Sequence, residues 1–410
     1  MHILYIHQHF STPRGATGIR SYQMARRLLQ HGHKVTMVCG SYGVGSTGLD
    51  GQFANSMRRG MVDGIDVIEF DLFYSNHHDF LTRSRTFLKF AWGSLRIALT
   101  EPYDTIFATT TPLTSGIPGI AARWFRRKPF VFEVRDLWPE IPRAMGLTNR
   151  LALIGMSVLE WASYRSAHRC VALAPGIAKG IARLGIAESA IATIPNGCDI
   201  GIFRADIPQW RPEGVNASDL LAIFTGTHGI ANGLEAVLDA ARVLQERGRS
   251  DIKIALVGDG KLKRDLESRA EHQKLRNLVF HPPINKRDLT GLMSSADLGL
   301  QILRNSPAFY YGTSPNKFFD YIAAGLPVLN NYPGWLASMI KENDCGFVVP
   351  PEDPEAFADA LEAAAADRAE LKEKGRRGAA LAEREFDRND LADKWVAWVV
   401  GKKGLEGTAV

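Results

Sequence analysis

Apolar and polar residues alternate along the start of the chain in the order expected for strands and amphipathic helices. Residues 3–7 are a short apolar run, and a glycine-bearing loop separates it from a helical pattern at residues 19–30. Gly32 ends that pattern, and residues 34–39 form the next apolar run. A strand, a helix and a second strand in this order predict a βαβ unit on a parallel sheet.

The same order returns in the second half of the chain. An apolar run at 221–225 precedes a glycine-bearing loop at 226–233, a helical pattern at 234–244 and a strand pattern at 252–257. The alternation continues with helices at 261–272, 286–295 and 316–324 and with strands at 278–281, 298–303 and 327–330. We therefore predict an α/β fold of two Rossmann-like, doubly wound domains that face each other across a cleft.

The boundary between the two domains is predicted near residue 200. A stretch with Pro208, Trp210 and Pro212 follows this point, and its prolines favour a linker. The predicted domains are residues 1–200 and 201–385. The tail, residues 386–410, starts with an amphipathic, tryptophan-bearing pattern, and we expect it to form a helix that crosses back to the N-terminal domain.

The composition is that of a globular protein in a reducing compartment. Hydrophobic residues make up 45% and charged residues 23% of the 410 residues, and the four cysteines lie far apart. Such spacing argues against a disulfide framework or a structural zinc site. The N-terminus has no basic leader, and the longest uncharged run, 105–122, is too rich in Thr, Pro and Gly for a membrane span. We expect a cytoplasmic protein that is at most peripheral on the inner face of the membrane.

Charge is distributed unevenly between the two halves. Residues 1–200 carry a net charge of +8 and residues 201–410 a net charge of −3. This asymmetry suggests that the first half faces an anionic partner, although chance scatter of charge on solvated faces remains an alternative.

Three loops at predicted strand-to-helix junctions have the glycine content of anion-binding turns. They are the loop with Gly15 and Gly18 that leads to Arg20, the loop at 226–233 and the loop at 311–317. A helix N-terminus offers unpaired N–H groups and a positive dipole to a phosphate. The first loop departs from the G-x-G-x-x-G pattern, so a nicotinamide cofactor is disfavoured, and we expect no cofactor.

Two charged residues lie one turn apart at the start of the helix predicted at 316–324. Lys317 and Asp320 share a face, where the lysine can neutralise a diphosphate and the carboxylate can accept two ribose hydroxyls. The alternative is an ordinary solvent-facing pair. The small residues that follow, Ala323 to Val328, favour close packing of this helix on the sheet.

Four segments resemble glycosyltransferase family 4, whose members have the GT-B fold. The residues that carry the resemblance are Pro195-Asn196-Gly197-Cys198-Asp199 with Phe203, Val257-Gly258-Asp259-Gly260, Ser314 to Val328, and Glu133-Val134-Arg135-Asp136-Leu137-Trp138-Pro139-Glu140. The last segment is similar to a branch that builds bacterial O-antigen and capsule repeat units, some members of which transfer N-acetyl-L-fucosamine. The resemblance implies a retaining hexosyltransferase for surface polysaccharide synthesis that uses a nucleotide-sugar donor, which we expect to be UDP-linked, and needs no metal.

The resemblance also implies which residues form the site. Glu133, Arg135 and Asp136 are the predicted catalytic residues of the first domain, and Gly15, Gly18 and Arg20 form the predicted acceptor-side loop. The predicted donor-binding residues are Gly226, Thr227, His228, Asn232, Gly258, Pro283, Ser314, Asn316, Lys317 and Asp320. Gly312, Thr227 and Asn232 depart from the family pattern, which has a glutamate, an arginine and a lysine at these positions.

Histidines and basic aromatic segments supply the remaining candidates on the acceptor side. His77-His78 and the pair His7 and His9 are expected to be surface or turn residues rather than metal ligands, and His9 is kept as an acceptor-side group. The run from Arg123 to Lys128, and the cations that flank the apolar stretch 87–99, favour docking on an anionic membrane. The alternative is a buried helix with a solvated basic end. No nucleic-acid-reading module is recognisable, and we expect a glycan or polyprenyl-diphosphate-linked acceptor.

Two other functions are compatible with the same sequence. A sugar-nucleotide 2-epimerase shares the two-domain shape and would act on a nucleotide sugar without an acceptor. A non-catalytic transferase-like subunit is compatible with the departures at Gly312, Thr227 and Asn232, and it would release no nucleoside diphosphate with any acceptor.

Overall fold

The computed structural model describes residues 1–15, 17–75, 78–203 and 207–401, and the chain divides into two compact units. Unit 1 comprises Met1–Pro195, Gly312–Ser314 and the residues from Asn389 onward, and unit 2 comprises Asn196–Tyr311 and Pro315–Arg388. Ala16, His77 and residues 402–410, which the sequence analysis included in a loop, a histidine pair and the tail, lie outside the described residues.

Unit 1 is built on a sheet of eight strands that are parallel except at one edge. Its strands run in the order β3-β4-β2-β1-β5-β6-β7-β8, and only β3 is antiparallel to its neighbour. Its elements are β1 (His2–Ile6), α1 (Arg20–Gln30), β2 (Lys34–Tyr42), β3 (Met57–Val62), β4 (Ile65–Tyr74), α2 (Phe80–Thr100), β5 (Thr105–Thr109), α3 (Gly116–Phe125), β6 (Phe130–Val134), α4 (Glu140–Ala144), α5 (Arg150–Ser166), β7 (Arg169–Ala172), α6 (Pro175–Arg183) and β8 (Ile191–Thr193).

The first βαβ unit shows how the sequence pattern produces this sheet. Met24, Ala25 and Leu28 lie on one face of α1 and are buried. Gly32, with a φ of 77°, ends the helix in the left-handed conformation that glycine adopts without strain. The chain then enters β2, which pairs in parallel with β1 from Lys34 onward.

Unit 2 contains a sheet of six parallel strands in the order β11-β10-β9-β12-β13-β14. Its core is formed by apolar residues of β9, β10 and β12 and of the helices that pack on them. The elements are α7 (Ile200–Phe203), β9 (Leu220–Thr225), α8 (Glu235–Glu246), β10 (Ile252–Val257), α9 (Lys263–His272), β11 (Leu278–His281), α10 (Lys286–Ser295), β12 (Leu298–Gln301), α11 (Pro307–Tyr310), α12 (Asn316–Ala323), β13 (Val328–Asn330), α13 (Trp335–Glu342), β14 (Gly346–Val348), α14 (Pro354–Ala366) and α15 (Arg368–Glu385).

The last helix, α16 (Arg388–Val400), carries the two tryptophans of the tail. Trp395 is fully buried in unit 1, where its ring stacks on Tyr5 at a centroid distance of 5.9 Å and meets the edge of Phe107 at 4.8 Å. Trp398 donates a hydrogen bond to the carbonyl of Cys170. The tryptophans therefore fix the helix on the unit 1 core.

The predicted alternation of strands and helices is confirmed in both units. The strands predicted at 252–257 and 278–281 and the helix predicted at 286–295 have the observed bounds, and the other elements differ by a few residues at their ends. The structure has the predicted fold class, which is two doubly wound α/β units with largely parallel sheets. None of the helices in the described part of the chain combines the length and apolarity needed to cross a bilayer.

Candidate active site

Two glycine turns lie against each other at the carboxyl ends of β9 and β10. A Cβ atom on Gly258 would lie 1.9 Å from the carbonyl oxygen of Gly226, and a Cβ on Gly260 would lie 2.6 Å from the carbonyl oxygen of His228. All three glycines have φ values between 142° and 159°. Only glycine fits these contacts, so the two turns pack directly against each other at the sheet edge where α/β proteins bind ligands.

His228 lies between these turns and is buried. Both of its ring nitrogens lack a hydrogen-bond partner among the described residues. Burial, together with the nearby Lys263 ammonium, lowers the pKa of His228 to about 4, so the imidazole is neutral at physiological pH. A buried polar group without a partner is costly, and a neutral imidazole can satisfy it by donating one N–H to a ligand oxygen.

Lys317 projects from the first turn of α12 towards the first glycine turn. Its Nζ atom lies 3.7 Å from the centroid of the Phe224 ring and donates a hydrogen bond of 3.3 Å to Oδ1 of Asn232. Burial lowers the pKa of Lys317 to about 7, and among the described residues no carboxylate pairs with its ammonium group. An anionic ligand would relieve this cost of burial, so the side chain is placed to bind one.

Thr227 and Asn232 occupy the positions where the family pattern has two cations. Thr227 is exposed, and the Nδ2 atom of Asn232 donates a hydrogen bond of 2.7 Å to its carbonyl oxygen. The other amide atom of Asn232 accepts from Lys317, so this side chain links the loop to α12. The positive charge beside this loop therefore comes from Lys317 on α12 and from Lys263 on α9, and not from the loop itself.

Asp320 lies one turn beyond Lys317, and its carboxylate has a partner that the sequence analysis did not find. Lys286, at the start of α10, donates hydrogen bonds of 3.2 and 3.3 Å to its two oxygens. Burial raises the pKa of Asp320, although Lys286 and Arg388 act against this shift. Arg388 is itself held in place, because it donates a 2.7 Å hydrogen bond to Oδ1 of Asp199.

The remaining predicted donor residues lie beside these groups in sequence. Pro283 is exposed after β11, Asn316 is the exposed first residue of α12, and Ser314 is a half-buried residue just before that helix. The sequence analysis missed Lys263, which donates a hydrogen bond of 3.0 Å to the carbonyl oxygen of Gly258 and so braces the second glycine turn. A lysine at the start of a helix after a glycine turn was the available signal.

In unit 1 a buried carboxylate lies between two arginines. Glu133 on β6 has no exposed surface, and its Oε2 accepts hydrogen bonds of 2.9 and 3.1 Å from Arg20. Its Oε1 accepts from Arg135 at 3.2 Å and from Thr109 at 3.0 Å. Burial alone would raise the pKa of Glu133, but the two guanidinium groups outweigh this effect and hold it below its ordinary value. Glu133 is therefore ionised, and both of its oxygens accept hydrogen bonds from the protein, so it can hold Arg20 and Arg135 in position.

Arg20 was predicted as part of an acceptor-side loop, and it is buried. Besides its bonds to Glu133 it donates to the backbone carbonyls of Pro195 and Ile194, at 2.8 and 3.0 Å. Gly15 lies near the start of this loop, where a Cβ would lie 2.3 Å from Oγ of Ser11. Gly18 is exposed. These contacts explain how the loop is held, and its role towards an acceptor stays a prediction.

Asp136 is the half-buried carboxylate at the end of this segment. Its Oδ2 accepts a 3.2 Å hydrogen bond from Thr111, and burial raises its pKa above the ordinary value. The neighbouring Arg135 is held by Thr109 at 2.8 Å and by Ser21 at 2.9 Å. Oδ1 of Asp136 thus accepts no hydrogen bond from the described residues, whereas both oxygens of Glu133 do. Of the two carboxylates, Asp136 is therefore the better placed to meet a substrate hydroxyl.

Three polar residues follow β1, two of them buried and one half-buried, and the sequence analysis gave them little weight. His7 and Gln8 are almost fully buried, and the ring of His9 packs against Tyr74 at 4.4 Å. Nδ1 of His7, both amide atoms of Gln8 and Nε2 of His9 have no partner among the described residues. Burial lowers the pKa of His9 to about 3, so it is neutral. The described residues contain no cluster of three or more His, Cys, Asp or Glu side chains able to hold a metal ion.

Two protein-family models match the chain, one in each half. The glycosyl transferase 4-like domain matches residues 15–197, and the glycosyl transferases group 1 domain matches residues 220–367. Together the two segments span most of the chain, and they correspond closely to the two sheets described above.

Curated relatives and solved structures agree with these matches. The chain is 27% identical over 219 residues to a D-inositol 3-phosphate glycosyltransferase of Xylanimonas cellulosilytica, which covers 49% of each protein. It is 29% identical over 150 residues to the putative colanic acid biosynthesis glycosyl transferase WcaI of Escherichia coli, which covers 34% of this chain and 35% of WcaI. These matches thus span half or less of the length of the relatives.

Solved structures extend the similarity of fold to nearly the whole chain. Sucrose-phosphate synthase from Thermosynechococcus elongatus has a TM-score of 0.74 at 17% identity, with 96% of this chain and 97% of that chain covered. The Anabaena protein HepE in complex with UDP-glucose has a TM-score of 0.68 at 16% identity, with 98% and 99% covered.

Two doubly wound α/β units, the two family matches and the similar solved structures together identify the fold as GT-B, a fold of glycosyltransferases. Within that fold class the chain belongs to the glycosyltransferases that combine a family 4-like domain with a group 1 domain.

Proposed function

We propose that the protein is a retaining glycosyltransferase that moves a sugar from a UDP-linked donor to a glycan or polyprenyl-diphosphate-linked acceptor. The observation that carries this proposal is the half-buried ammonium group of Lys317, which lacks a carboxylate partner among the described residues and lies beside two interlocked glycine turns. A nucleoside diphosphate supplies the charge and the oxygens that this arrangement needs.

Each group of unit 2 has a part in binding the proposed donor. Lys317 neutralises the diphosphate, and the imidazole of His228 donates a hydrogen bond to one of its oxygens. Asp320 accepts hydrogen bonds from the ribose hydroxyl groups while it keeps its contact with Lys286. The choice of UDP is supported by HepE, the structural neighbour that was solved with UDP-glucose.

The proposed reaction retains the anomeric configuration by front-face displacement. The acceptor hydroxyl oxygen forms a bond to the anomeric carbon while the bond from that carbon to the diphosphate oxygen breaks. The proton of the hydroxyl group passes to the departing β-phosphate oxygen, so no protein nucleophile takes part. Lys317 stabilises the negative charge that develops on the leaving diphosphate, and the protein otherwise orients the two reactants.

The acceptor is proposed to meet unit 1 near Asp136. This carboxylate follows β6, at the same edge of the sheet as the buried polar residues after β1. Its role would be to accept a hydrogen bond from the attacking hydroxyl, while Glu133 and Arg135 hold the segment in place. WcaI, whose name refers to colanic acid biosynthesis, supports a role in surface polysaccharide synthesis. The resemblance of the segment from Glu133 to Glu140 supports an N-acetylated deoxy-aminosugar as the donor sugar.

Calorimetry with UDP tests the donor site. Loss of a charge-assisted contact costs about 1.5–3 kcal/mol, so we expect Lys317→Ala to weaken UDP binding about 10- to 150-fold. Asp320→Ala should also weaken it, whereas an exposed lysine on the same unit, changed as Lys341→Ala, should leave it intact. If both site variants bind UDP like the wild type, the donor site is wrongly assigned.

A further inference from the structure

Exposed apolar side chains are concentrated on three neighbouring helices of unit 1. Among the described residues, eleven of the seventeen large hydrophobic side chains that are exposed lie on α2, α3 and α5, and only Tyr311 lies in unit 2. α3 packs against both α2 and α5. Scattered exposed apolar residues are normal, but a contiguous group marks an interaction surface.

The polarity of α5 is inverted relative to an ordinary surface helix. Glu160, Ser163, Tyr164 and Ser166 are its buried residues. Its exposed positions carry Leu151, Ile154, Val158 and Trp161, a stripe at spacings of three and four residues on one helical face. Leu151 is 81% exposed, so the stripe faces away from the protein core.

α2 also exposes an apolar stripe. It buries Thr86 and Ser94 together with Phe90, Ala91 and Ala98, whereas Leu81, Leu88, Trp92 and Leu99 are exposed. Trp92 is 75% exposed, which is unusual for the side chain with the largest apolar area. We call the two stripes together, Leu81, Leu88, Trp92 and Leu99 with Leu151, Ile154, Val158 and Trp161, the exposed apolar face.

Cations accompany the exposed apolar face, and within α2, α3 and α5 no carboxylate is exposed, although the exposed Asp79 caps the start of α2. α2 carries Arg83, Arg85, Lys89 and Arg96, and neither α2 nor α3 contains an Asp or Glu. The only acidic residue of α5 is Glu160, which is buried and faces away from the surface, and burial raises its pKa to about 7. Apolar side chains mixed with cations, including tryptophan, match the interfacial region of a bilayer with anionic headgroups.

We propose that the exposed apolar face inserts into the interfacial region of an anionic bilayer, with Arg85, Lys89 and Arg96 contacting the lipid headgroups. The cations of α2 belong to the stretch around residues 87–99 that the sequence favoured for membrane docking, whereas the other predicted cations, Arg126, Arg127 and Lys128, are not part of this face. Arg126 instead donates to the carbonyls of Ala98 and Glu101 at the end of α2. The inference deepens the proposed function, on which it rests for one point: the face would bring the enzyme to a lipid-linked acceptor.

The charge on this face favours a bilayer over a second copy of the chain as its binding partner. A symmetric dimer through this face would place the same patch against itself. The cations of α2 would then oppose those of the partner with no exposed carboxylate on α2, α3 or α5 to pair with them. Like charges opposed in this way cost free energy, whereas anionic lipids neutralise them.

Vesicle flotation of the full chain tests the proposal with two vesicle compositions. One composition contains phosphatidylglycerol and phosphatidylcholine, and the other contains phosphatidylcholine alone. We expect binding to the anionic vesicles that falls with added salt but is not abolished by it, because apolar insertion persists when charge is screened. Each cation near the surface is worth about 1 kcal/mol, so the variant Arg85→Ala/Lys89→Ala/Arg96→Ala should bind about 100-fold more weakly at low salt.

A matched pair of double variants separates insertion from non-specific adhesion. Leu151→Ser/Ile154→Ser removes two apolar side chains of the exposed apolar face and should lower vesicle binding about tenfold or more. Val44→Ser/Met61→Ser removes two exposed apolar side chains of unit 1 outside the three helices and should leave it unchanged. UDP binding, measured by calorimetry, should be the same in all variants, which keeps this test separate from that of the proposed function.

Three results would overturn the proposal. The first is a wild type that does not float with anionic vesicles. The second is equal binding of the wild type and Leu151→Ser/Ile154→Ser, which would reduce the interaction to charge. The third is a dimer in light scattering that this double variant converts to a monomer, which would make a second copy the occupant.

Discussion

The pKa of Lys317 leads to a specific prediction about how UDP binding depends on pH. In the free protein burial lowers this pKa to about 7. A bound diphosphate places negative charge beside the ammonium group and should return the pKa to about 10 or higher. Because only the protonated side chain neutralises the diphosphate, binding and protonation are linked.

The size of the effect follows from these two values. Well below pH 7 Lys317 is already protonated, and the affinity should no longer depend on its titration. Above pH 7 the free protein must take up a proton to bind, so the dissociation constant should rise about 50-fold between pH 7 and pH 9. At pH 8 binding should be accompanied by the uptake of about 0.9 protons.

Calorimetry of UDP binding in buffers of different ionisation enthalpy measures both quantities. Three titratable groups of unit 2 stay outside the chosen window, because the pKa of His228 is lowered to about 4 and those of Cys198 and Cys345 are raised to about 12 and about 11. The window also avoids the terminal phosphate, which ionises near pH 6. The variant Lys317→Arg keeps the charge and removes the titration, so its affinity should not vary across the window.

The reasoning is refuted if the wild type takes up no proton at pH 8 and binds UDP equally at pH 7 and pH 9. It is also refuted if Lys317→Arg shows the same pH dependence as the wild type, because the titrating group would then be another residue.

Three further predictions concern other parts of the site. Asp136→Asn should lower transfer about 100-fold or more in a product assay and leave the UDP affinity unchanged, and an equal loss of both would mark Asp136 as structural. Glu133→Gln removes the charge between Arg20 and Arg135 and should lower the free energy of unfolding in urea by about 3–5 kcal/mol. Because the pKa of Glu133 is depressed in the folded state, the stability that it contributes in the wild type should be lost as the pH falls below about 4. Unchanged urea midpoints would contradict this account. Gly258→Ala should reduce UDP binding and thermal stability, because its Cβ would clash with Gly226, whereas Gly248→Ala, at a positive φ with open space around it, should lose only about 1 kcal/mol.

The sequence predicted the regular elements well because their apolar periodicity is strong. Residues 252–257 and 278–281 are apolar runs between polar helices, and local pattern alone determines that they are strands. The position of Lys317 and Asp320 at the start of α12 was predictable for the same reason. What was not predictable is the pairing of Asp320 with Lys286, because the two residues are 34 positions apart and meet only when α10 and α12 lie side by side.

Two features of unit 1 show why the direction in which side chains point could not be predicted from the sequence. The cations and apolar residues of 87–99 were compatible with either a membrane-docking or a buried helix, since periodicity cannot tell which face points inward. The structure has Trp92 outward and Ser94 inward. Conversely, His7 was expected at the surface or in a turn, and it is buried because the ends of β1 and its neighbours enclose it. Burial of polar residues depends on the tertiary fold and leaves no local pattern.

Product analysis with a panel of nucleotide sugars tests the central assignment most directly. The full chain is incubated with each sugar nucleotide and a polyprenyl-diphosphate-linked acceptor, and released UDP and the mass of the acceptor are both measured. We predict that UDP is released only when the acceptor is present, in equal amount to an acceptor that has gained one sugar. Conversion of the nucleotide sugar without acceptor would indicate an epimerase, and no release with any pair would indicate a non-catalytic subunit; either result would contradict the assignment.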